Sequence, residues 1–263
     1  MVEFEMTSRV LRHVLKQVRE SKTELTLTFP KSIDWNTRAI ATCKRLVPWL
    51  EQQSTALTSY LTCVMNSPND VRDSVKRLVD RFLLETEHKQ STTDDKILDS
   101  LRSALEYEEL LIAEAGGTVV SKLIERYLID KSENWILESN GASDYPDLFF
   151  RDNDYSMLSK FQRGSKQVYG AALKGKSLRP VRVPDGLEVK TCKGPFAVDC
   201  HHAHAGLHLV VLFNKARKQF CVNDIQIAFM RRDFYRITVP ASPTTTLKAS
   251  FNGQNFISIL NST

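Results

Sequence analysis

The sequence predicts a mixed α/β protein, in which helices flank a mixed central sheet and a helical region precedes it. Two observations support this prediction. Residues 1–115 place apolar side chains mainly at helical spacing, whereas residues 116–263 contain one amphipathic helix followed by several short strand patterns. The chain has 263 residues, of which 42% are hydrophobic and 25% charged, so it is long enough to bury a sizeable core and has the composition of a globular protein.

The first region, residues 1–115, is predicted to be helical over most of its length. Further helices are expected to begin at Ser67–Asp70 and at Thr92–Asp95, the second ending before Gly116. Only Thr23–Phe29 alternates like a strand. The first helix has an apolar stripe made of Val10, Leu11, Val14, Leu15 and Val18, with the cations Arg9, Arg12, Lys16 and Arg19 around the rest of its surface.

The second region, residues 116–263, begins with a helix and continues with strands. The helix, Thr118–Leu128, has a predicted core face made of Val119, Val120, Leu123, Ile124, Tyr127 and Leu128. The polar C-terminal tail is expected to end in an edge strand. The other strands are predicted at Trp135–Glu138, Asp147–Phe150, Leu187–Cys192, Leu207–Phe213 and Phe220–Met230.

Composition and charge exclude several classes of protein. No apolar stretch is long enough to cross a bilayer, and the acids among the first residues do not fit a secretory signal. The five cysteines form no CxxC pair, which indicates reduced thiols and a cytoplasmic location.

The charge is unevenly distributed along the chain. Residues 1–115 carry 16 Lys and Arg against 18 Asp and Glu, and residues 116–263 carry 20 Lys and Arg against 13 Asp and Glu. The second region therefore suits a polyanionic partner.

Three residues that can support catalysis lie on two consecutive predicted strands. Pro146-Asp147 stands at the start of an apolar strand, and Glu188 and Lys190 lie two residues apart on the next one. Because side chains alternate along a strand, Glu188 and Lys190 project from the same face. If the two strands pair, two carboxylates converge beside an ammonium group.

This trio suits phosphodiester hydrolysis. Carboxylate oxygens are the hard ligands that Mg²⁺ prefers. The metal polarises a phosphoryl group and promotes hydroxide formation from its water, while a lysine orients that water and offsets charge in the transition state. The alternative that the residues alone leave open is a surface ion pair between Glu188 and Lys190.

Together with Glu125 on the preceding predicted helix, these residues resemble the PD-(D/E)xK nuclease superfamily and, within it, the type II restriction endonucleases. The resemblance covers roughly residues 116–236, up to the end of a predicted strand at Ile225–Tyr235. Glu125 lies at the border of a helix face, where a solvated glutamate is the alternative.

The resemblance assigns a role to each residue of the site. Asp147 and Glu188 are expected to bind Mg²⁺, with the Val189 carbonyl completing the metal shell. Lys190 is expected to position the attacking water, and Glu125 to serve as an auxiliary catalytic acid.

The resemblance also implies a fold, an activity and partners. It implies a restriction-endonuclease-like core that cuts both strands of double-stranded DNA at a short specific sequence, with Mg²⁺ as cofactor. It further implies a homodimer that matches a symmetric DNA site, a cognate DNA methyltransferase in the same host and a prokaryotic cytoplasm. The helical first region is left with three roles: dimer contacts, embrace of the DNA or target recognition. Two other functions stay open, namely a modification-dependent, repair or mobile-element nuclease of the same superfamily, and a non-catalytic DNA-binding protein.

Asp147 and Glu188 stand 41 positions apart, and here the chain departs from this family, in which a short hairpin is usual. Asp152 and Asp154 in this insert are rival candidates for the first acid, but they lie in polar sequence, whereas Asp147 begins an apolar strand. The insert, residues 151–185, is basic and is predicted to contact DNA. Its predicted DNA-binding residues are Arg151, Lys160, Arg163, Lys166, Lys174, Lys176, Arg179 and Arg182.

One further cluster has side chains of the types that bind zinc, namely Cys200, His201, His202, His204 and His208. Its spacing is not that of a zinc finger or a zinc hydrolase. The alternatives are histidines that lie near DNA phosphates or an exposed turn.

Overall fold

The computed structural model describes residues 8–20, 35–67, 116–133, 137–139, 146–150, 186–200, 203–216, 219–238 and 248–260. The helices in these ranges are α1 (Arg9–Glu20), α2 (Trp35–Asn66) and α3 (Gly116–Lys131). The strands are β1 (Leu137–Ser139), β2 (Leu148–Phe150), β3 (Gly186–Lys193), β4 (Ala197–Cys200), β5 (Gly206–Ala216), β6 (Gln219–Met230), β7 (Arg236–Thr238), β8 (Lys248–Asn252) and β9 (Ile257–Ser258).

The strands form two sheets. Six of them make a mixed sheet in the order β1-β2-β3-β5-β6-β9, in which β3 and β5 are parallel and the other neighbours antiparallel. The remaining three make a small antiparallel sheet in the order β4-β8-β7. Helices together with a mixed sheet confirm the predicted mixed α/β class.

The helices pack on one face of the six-stranded sheet. Alternate residues of β3 and β5, such as Leu187, Val189 and Leu209, are buried in one core cluster with residues of all three helices. The predicted core face of α3 is buried in full: Val119, Val120, Leu123, Ile124, Tyr127 and Leu128. The apolar stripe of α1 is buried as well, as the sequence predicts: Val10, Leu11, Val14, Leu15 and Val18.

A buried glutamine ties α1 to the sheet. The Nε2 atom of Gln17 donates to the carbonyl oxygen of Asn255 at 2.9 Å, and its Oε1 atom accepts from the amide of Phe229 at 2.8 Å. The helix is thus hydrogen-bonded both to β6 and to the turn before β9.

The small sheet covers the opposite face of the six-stranded sheet. A second cluster of buried apolar residues forms there, with Val210 and Met230 from the large sheet and Val198 and Phe251 from the small one. The ring of Phe251 stacks on Phe256 with centroids 5.4 Å apart. Two cores therefore share one sheet.

The parallel pair β3 and β5 is joined through β4 instead of through a helix. Residues 194–205 make the connection, which is about the minimum that a parallel crossover needs. Gly194 turns the chain out of β3 with φ of +83°, a conformation that favours glycine. The beginnings of β3 and β5 consequently lie at the same edge of the sheet.

The predicted strands are present with shifted bounds. One correction concerns the strand predicted to reach Tyr235: β6 ends at Met230, and a 3-10 turn at Arg232–Phe234 follows. The C-terminal edge strand is found as β9. The strand predicted at Thr23–Phe29, the helices predicted to start near Ser67 and Thr92, and the insert 151–185 lie outside the described residues. No helix in the described ranges combines the length and apolar character needed to cross a membrane.

Candidate active site

The candidate site lies where β2 meets β3. The register pairs Leu148 with Leu187 and Phe149 with Gly186, so Asp147, which immediately precedes β2, lies beside Glu188. The alternation of β3 puts Glu188 and Lys190 on the face opposite to that of Leu187 and Val189, as the sequence predicts. The strand pairing thereby brings the three predicted residues together.

Hydrogen bonds hold the two carboxylates and the ammonium group in place. The amide of Asp147 donates to Oε2 of Glu188 at 3.2 Å, and the amide of Val189 donates to Oδ2 of Asp147 at 2.8 Å. The Nζ atom of Lys190 donates to Oε1 of Glu188 and lies 3.8 Å from Oδ2 of Asp147. One lysine is thus shared by two acids.

The approach of β2 to β3 depends on a glycine. A Cβ atom on Gly186 would lie 2.2 Å from Cγ of Pro146 and 2.3 Å from the carbonyl oxygen of Leu148, far inside van der Waals contact. Glycine therefore lets Pro146 pack directly on β3, and this packing places Asp147 beside Glu188. Pro146 stands out in the sequence as part of a Pro-Asp pair, whereas its glycine partner does not.

Burial makes this site electrostatically unusual. The side chain of Glu188 is 5% exposed, that of Asp147 15% and that of Lys190 26%. Burial and the charge of Asp147 raise the pKa of Glu188 to about 8, against the opposing charge of Lys190. Burial would lower the pKa of Lys190, but the charges of Asp147 and Glu188 outweigh it and raise that pKa. The lysine is therefore charged at neutral pH.

The glutamate on α3 is buried and paired with a lysine. Both Oε atoms of Glu125 accept from Nζ of Lys122, at 2.8 and 2.6 Å, and both side chains are less than a tenth exposed. Burial raises the pKa of Glu125 to about 7, Lys122 opposes this, and the charge of Asp147 adds to it. The structure thus places Glu125 near the trio electrostatically and does not make it a solvated glutamate.

Lys122 is a residue of this site that the sequence did not single out. Burial would lower the pKa of Lys122, but the charges of Glu125 and Asp147 raise it. The signal was present in the sequence, because residues three apart on a helix are neighbours and Lys122 stands three before Glu125.

A buried histidine lies on the neighbouring strand. His208 is the register partner of Glu188, is fully buried, and has its Nδ1 atom 2.9 Å from the carbonyl oxygen of Gly206. The hydroxyl of Tyr235 lies 3.1 Å from its Nε2 atom. Burial lowers the pKa of His208 to about 3, so the ring is neutral. The sequence also contains no signal for a role of Tyr235, because its hydroxyl reaches His208 only through tertiary packing.

The structure describes some of the remaining predicted residues and not others. The eight basic residues of the insert, Asp152, Asp154, His201 and His202 lie outside the described residues. Within the described ranges, no group of three or more His, Cys, Asp and Glu side chains has the geometry for a metal ion. Cys200 lies on β4 and is half-buried; burial raises the pKa of its thiol to about 11 despite the charge of Lys190.

Comparisons of the chain with protein-family models, with curated proteins and with solved structures give no match.

Proposed function

We propose that this protein is a Mg²⁺-dependent nuclease of the PD-(D/E)xK type, which cuts both strands of double-stranded DNA at a short specific sequence. The observation that carries the proposal is the meeting of Asp147, Glu188 and Lys190 at the junction of β2 and β3. An ordinary surface ion pair does not account for it, because Glu188 is buried and a second acid shares its lysine. Ionising two neighbouring buried carboxylates together is costly unless a further cation binds between them.

The fold is compatible with the core that the resemblance implies. Helix α3 precedes the antiparallel strands β1, β2 and β3, and β5 then adds to β3 in parallel. Asp147 immediately precedes β2, and Glu188 and Lys190 lie on β3, in the order that the family pattern requires. This arrangement supports a restriction-endonuclease-like core.

The donor atoms fit a magnesium ion. Asp147 and Glu188 supply two carboxylates. In an extended strand, the N–H and C=O of one residue point toward the same neighbouring strand. Since the Val189 amide donates to Asp147, the Val189 carbonyl points toward the same edge. Three hard oxygen donors at one edge suit Mg²⁺, which binds few protein ligands and keeps several waters.

The residues of the chain would divide the reaction between them. Asp147 and Glu188 would hold the ion, which when bound polarises the phosphoryl group and lowers the pKa of its water. Lys190 would donate a hydrogen bond to the attacking water and offset the charge that develops on the phosphoryl oxygens. The water oxygen bonds to phosphorus, the bond to the 3′ oxygen breaks, and that oxygen takes up a proton. The products are 5′-phosphate and 3′-hydroxyl ends.

Glu125 and Lys122 would act on this centre from α3. Because they are hydrogen-bonded to each other, their influence on Asp147 is electrostatic. We assign them a positioning role. The homodimer, the cognate methyltransferase and the prokaryotic cytoplasm belong to the same proposal.

The decisive experiment compares three near-isosteric variants with matched controls. Asp147→Asn, Glu188→Gln and Lys190→Met should each slow Mg²⁺-dependent cleavage of phage DNA at least about 10²–10³-fold, the scale for losing one preorganised charge or donor. Asp199→Asn on β4 and Lys193→Met on β3 are the controls, because both residues are exposed. The controls should cut like the wild type. Normal cutting by Asp147→Asn would contradict the proposal.

The choice of DNA separates the alternative functions. Discrete fragments from unmodified DNA support restriction, whereas fragments from methylated DNA alone support a modification-dependent nuclease. Salt-sensitive DNA retention without cleavage at any Mg²⁺ concentration overturns the nuclease proposal and supports a DNA-binding protein.

A further inference from the structure

One exposed face of α1 carries a row of cations that the proposed reaction does not use. Arg9, Arg12, Lys16 and Arg19, here called the α1 stripe, are all exposed, and the spacing of three and four residues aligns them along the helix. The helix contains one acid, Glu20, at its C-terminal end. Arg12, Lys16 and Arg19 also line a surface depression of about 430 Å³.

The stripe is unfavourable for the helix that carries it. Each neighbouring pair along it joins two positive charges at helical spacing, which destabilises a helix. Arg9 and Arg12 lie in the first turn, where the helix dipole disfavours cations and where the helix has no acid to compensate. Lys16 forms an exposed ion pair with Glu20 at 3.8 Å, which stabilises the helix only slightly. The alignment of four cations along one helix face therefore suits a negatively charged partner better than it suits the stability of the helix.

The stripe runs to the same sheet edge as the candidate site. Gln17 of α1 accepts from the amide of Phe229. Phe229 pairs with Leu207, which in turn pairs with Leu187, the residue before Glu188. Within the plane of the sheet, two strand spacings, about 10 Å, separate the row of Glu188 from the strand on which α1 rests. Helix α1 packs on the face of Leu187 and Phe229, whereas Glu188 projects from the opposite face. Glu20, at the end of α1, lies 3.8 Å from Arg231, which follows β6 at this edge. The α1 helix and the candidate site therefore share a sheet edge and not a face, and a duplex that contacts both must pass across that edge.

We propose that the α1 stripe is a second DNA-binding surface, which contacts the phosphate backbone of the duplex whose strands the site would cut. This inference rests on the proposed function. From Arg9 to Arg19 the helix rises roughly 15 Å, which corresponds to about four phosphates along one strand of B-DNA. A membrane partner is disfavoured because the apolar side of α1 is buried in the core and cannot insert.

The test removes three charges from the stripe and the same number elsewhere. The stripe variant is Arg9→Gln with Lys16→Gln and Arg19→Gln in the full chain. The control carries Lys44→Gln, Lys131→Gln and Lys193→Gln, three exposed lysines on α2, α3 and β3. Binding to a short labelled duplex of mixed sequence is measured without divalent metal over a series of salt concentrations.

The stripe variant should bind at least about tenfold more weakly, and the slope of log K against log salt should fall by about 2–3, since each lost phosphate contact removes about 0.9. The slope of the control should differ from the wild-type slope by no more than about 0.9, the value for one phosphate contact. The stripe variant should melt close to the wild-type temperature, because the removal of like charges offsets the loss of the exposed Lys16–Glu20 ion pair. An unchanged slope, an equal loss in the control, or binding of anionic vesicles in place of DNA overturns the inference.

The two proposals fail separately. If the stripe variant binds DNA more weakly but the wild type does not cut DNA with Mg²⁺, the nuclease proposal is rejected and the binding surface is kept. If the wild type cuts DNA but the stripe variant keeps the wild-type salt dependence of binding, only the α1 stripe is rejected as a DNA-binding surface.

Discussion

The carboxyl group of Glu188 is subject to opposing electrostatic influences. Burial and the charge of Asp147 favour its protonated form, while Lys190 and the amide of Asp147 favour the ionised form. Burial and the charge of Asp147 outweigh the other two influences, and the pKa of Glu188 rises to about 8. In the metal-free protein, the candidate site therefore ionises in the neutral range, where a small change in its surroundings changes its charge.

The raised pKa predicts a pH-dependent stability. A raised pKa means that the folded protein holds this proton more tightly than the unfolded chain does. The resulting stabilisation is full below the ordinary pKa of 4.5 and is lost as the pH rises through about 8. Glu188→Gln removes this dependence, so its stability relative to the wild type should increase from pH 5 to pH 8.5 by up to about 4 kcal/mol.

Urea unfolding at several pH values, in the presence of a chelator, measures this difference. Asp199→Asn, on the exposed surface of β4, is the control and should track the wild type. A difference between Glu188→Gln and the wild type that stays constant across this pH range would contradict the ionisation described for Glu188.

At the level of elements, the start of β2 is positioned by contact with β3. Pro146 packs where Gly186 has no side chain, and the amide of Val189 binds the Asp147 carboxylate. On the other side of β2, the guanidinium of Arg45 from α2 lies 4.6 Å from the ring centroid of Phe150. The position of Asp147 is therefore set by two strands and a helix together.

Gly186→Ala should impair activity more than stability. The added methyl group forces Pro146 and β2 away from β3, and a displacement of about 1 Å at a catalytic group can reduce the rate about 10²-fold. Overpacking of this kind costs about 1–3 kcal/mol of stability.

The control for this variant is Gly253→Ala, whose Cβ atom would lie 2.7 Å from the ring of Phe196 in the second core. It should lose stability and keep its cleavage rate per folded molecule. The cleavage rate and the free energy of unfolding are measured for both variants. Equal cleavage rates per folded molecule would show that Gly186 does not position Asp147.

Across the whole molecule, the six-stranded sheet separates two cores of different character. The helical side is mainly aliphatic, whereas the side beneath the small sheet holds an aromatic cluster. In that cluster the ring of Phe251 lies edge-on to His208 and Tyr235, with centroids 6.0 and 5.4 Å away. The small sheet thus packs directly behind the strand that adjoins Glu188.

Phe251→Ala should therefore destabilise the protein by about 3–5 kcal/mol, the range for deleting a buried aromatic ring. Chemical denaturation measures the change. Ile237→Ala on β7, where the side chain is 46% exposed, is the matched control and should stay within about 0.5 kcal/mol of the wild type. A loss in Phe251→Ala as small as that in Ile237→Ala would mean that the second core contributes little.

The elements that the sequence predicted are those with strong local patterns. The core face of α3 and the long strands β5 and β6 follow from spacing alone. Strands β4, β7 and β8 were missed because they have three to five residues each and owe their position to packing around Phe251. Helix α2 was not delimited, since Pro48 interrupts its pattern.

The same distinction applies to the candidate site. Glu188 and Lys190 could be placed together because strand periodicity is local, and Asp147 joined them because consecutive strands commonly pair. His208 and Tyr235 meet across 27 residues. No spacing rule links such residues, so only the fold reveals the contact.

Among the described residues, the outer strands of the large sheet are short. β1 has 3 residues there and β9 has 2, so the described part of each border offers few unpaired backbone groups to another strand. A sheet that continues from one subunit into the next would gain only a few ladder hydrogen bonds. Self-association, including the proposed homodimer, is therefore expected to use side-chain contacts on helices or loops, and these borders should resist fibril growth.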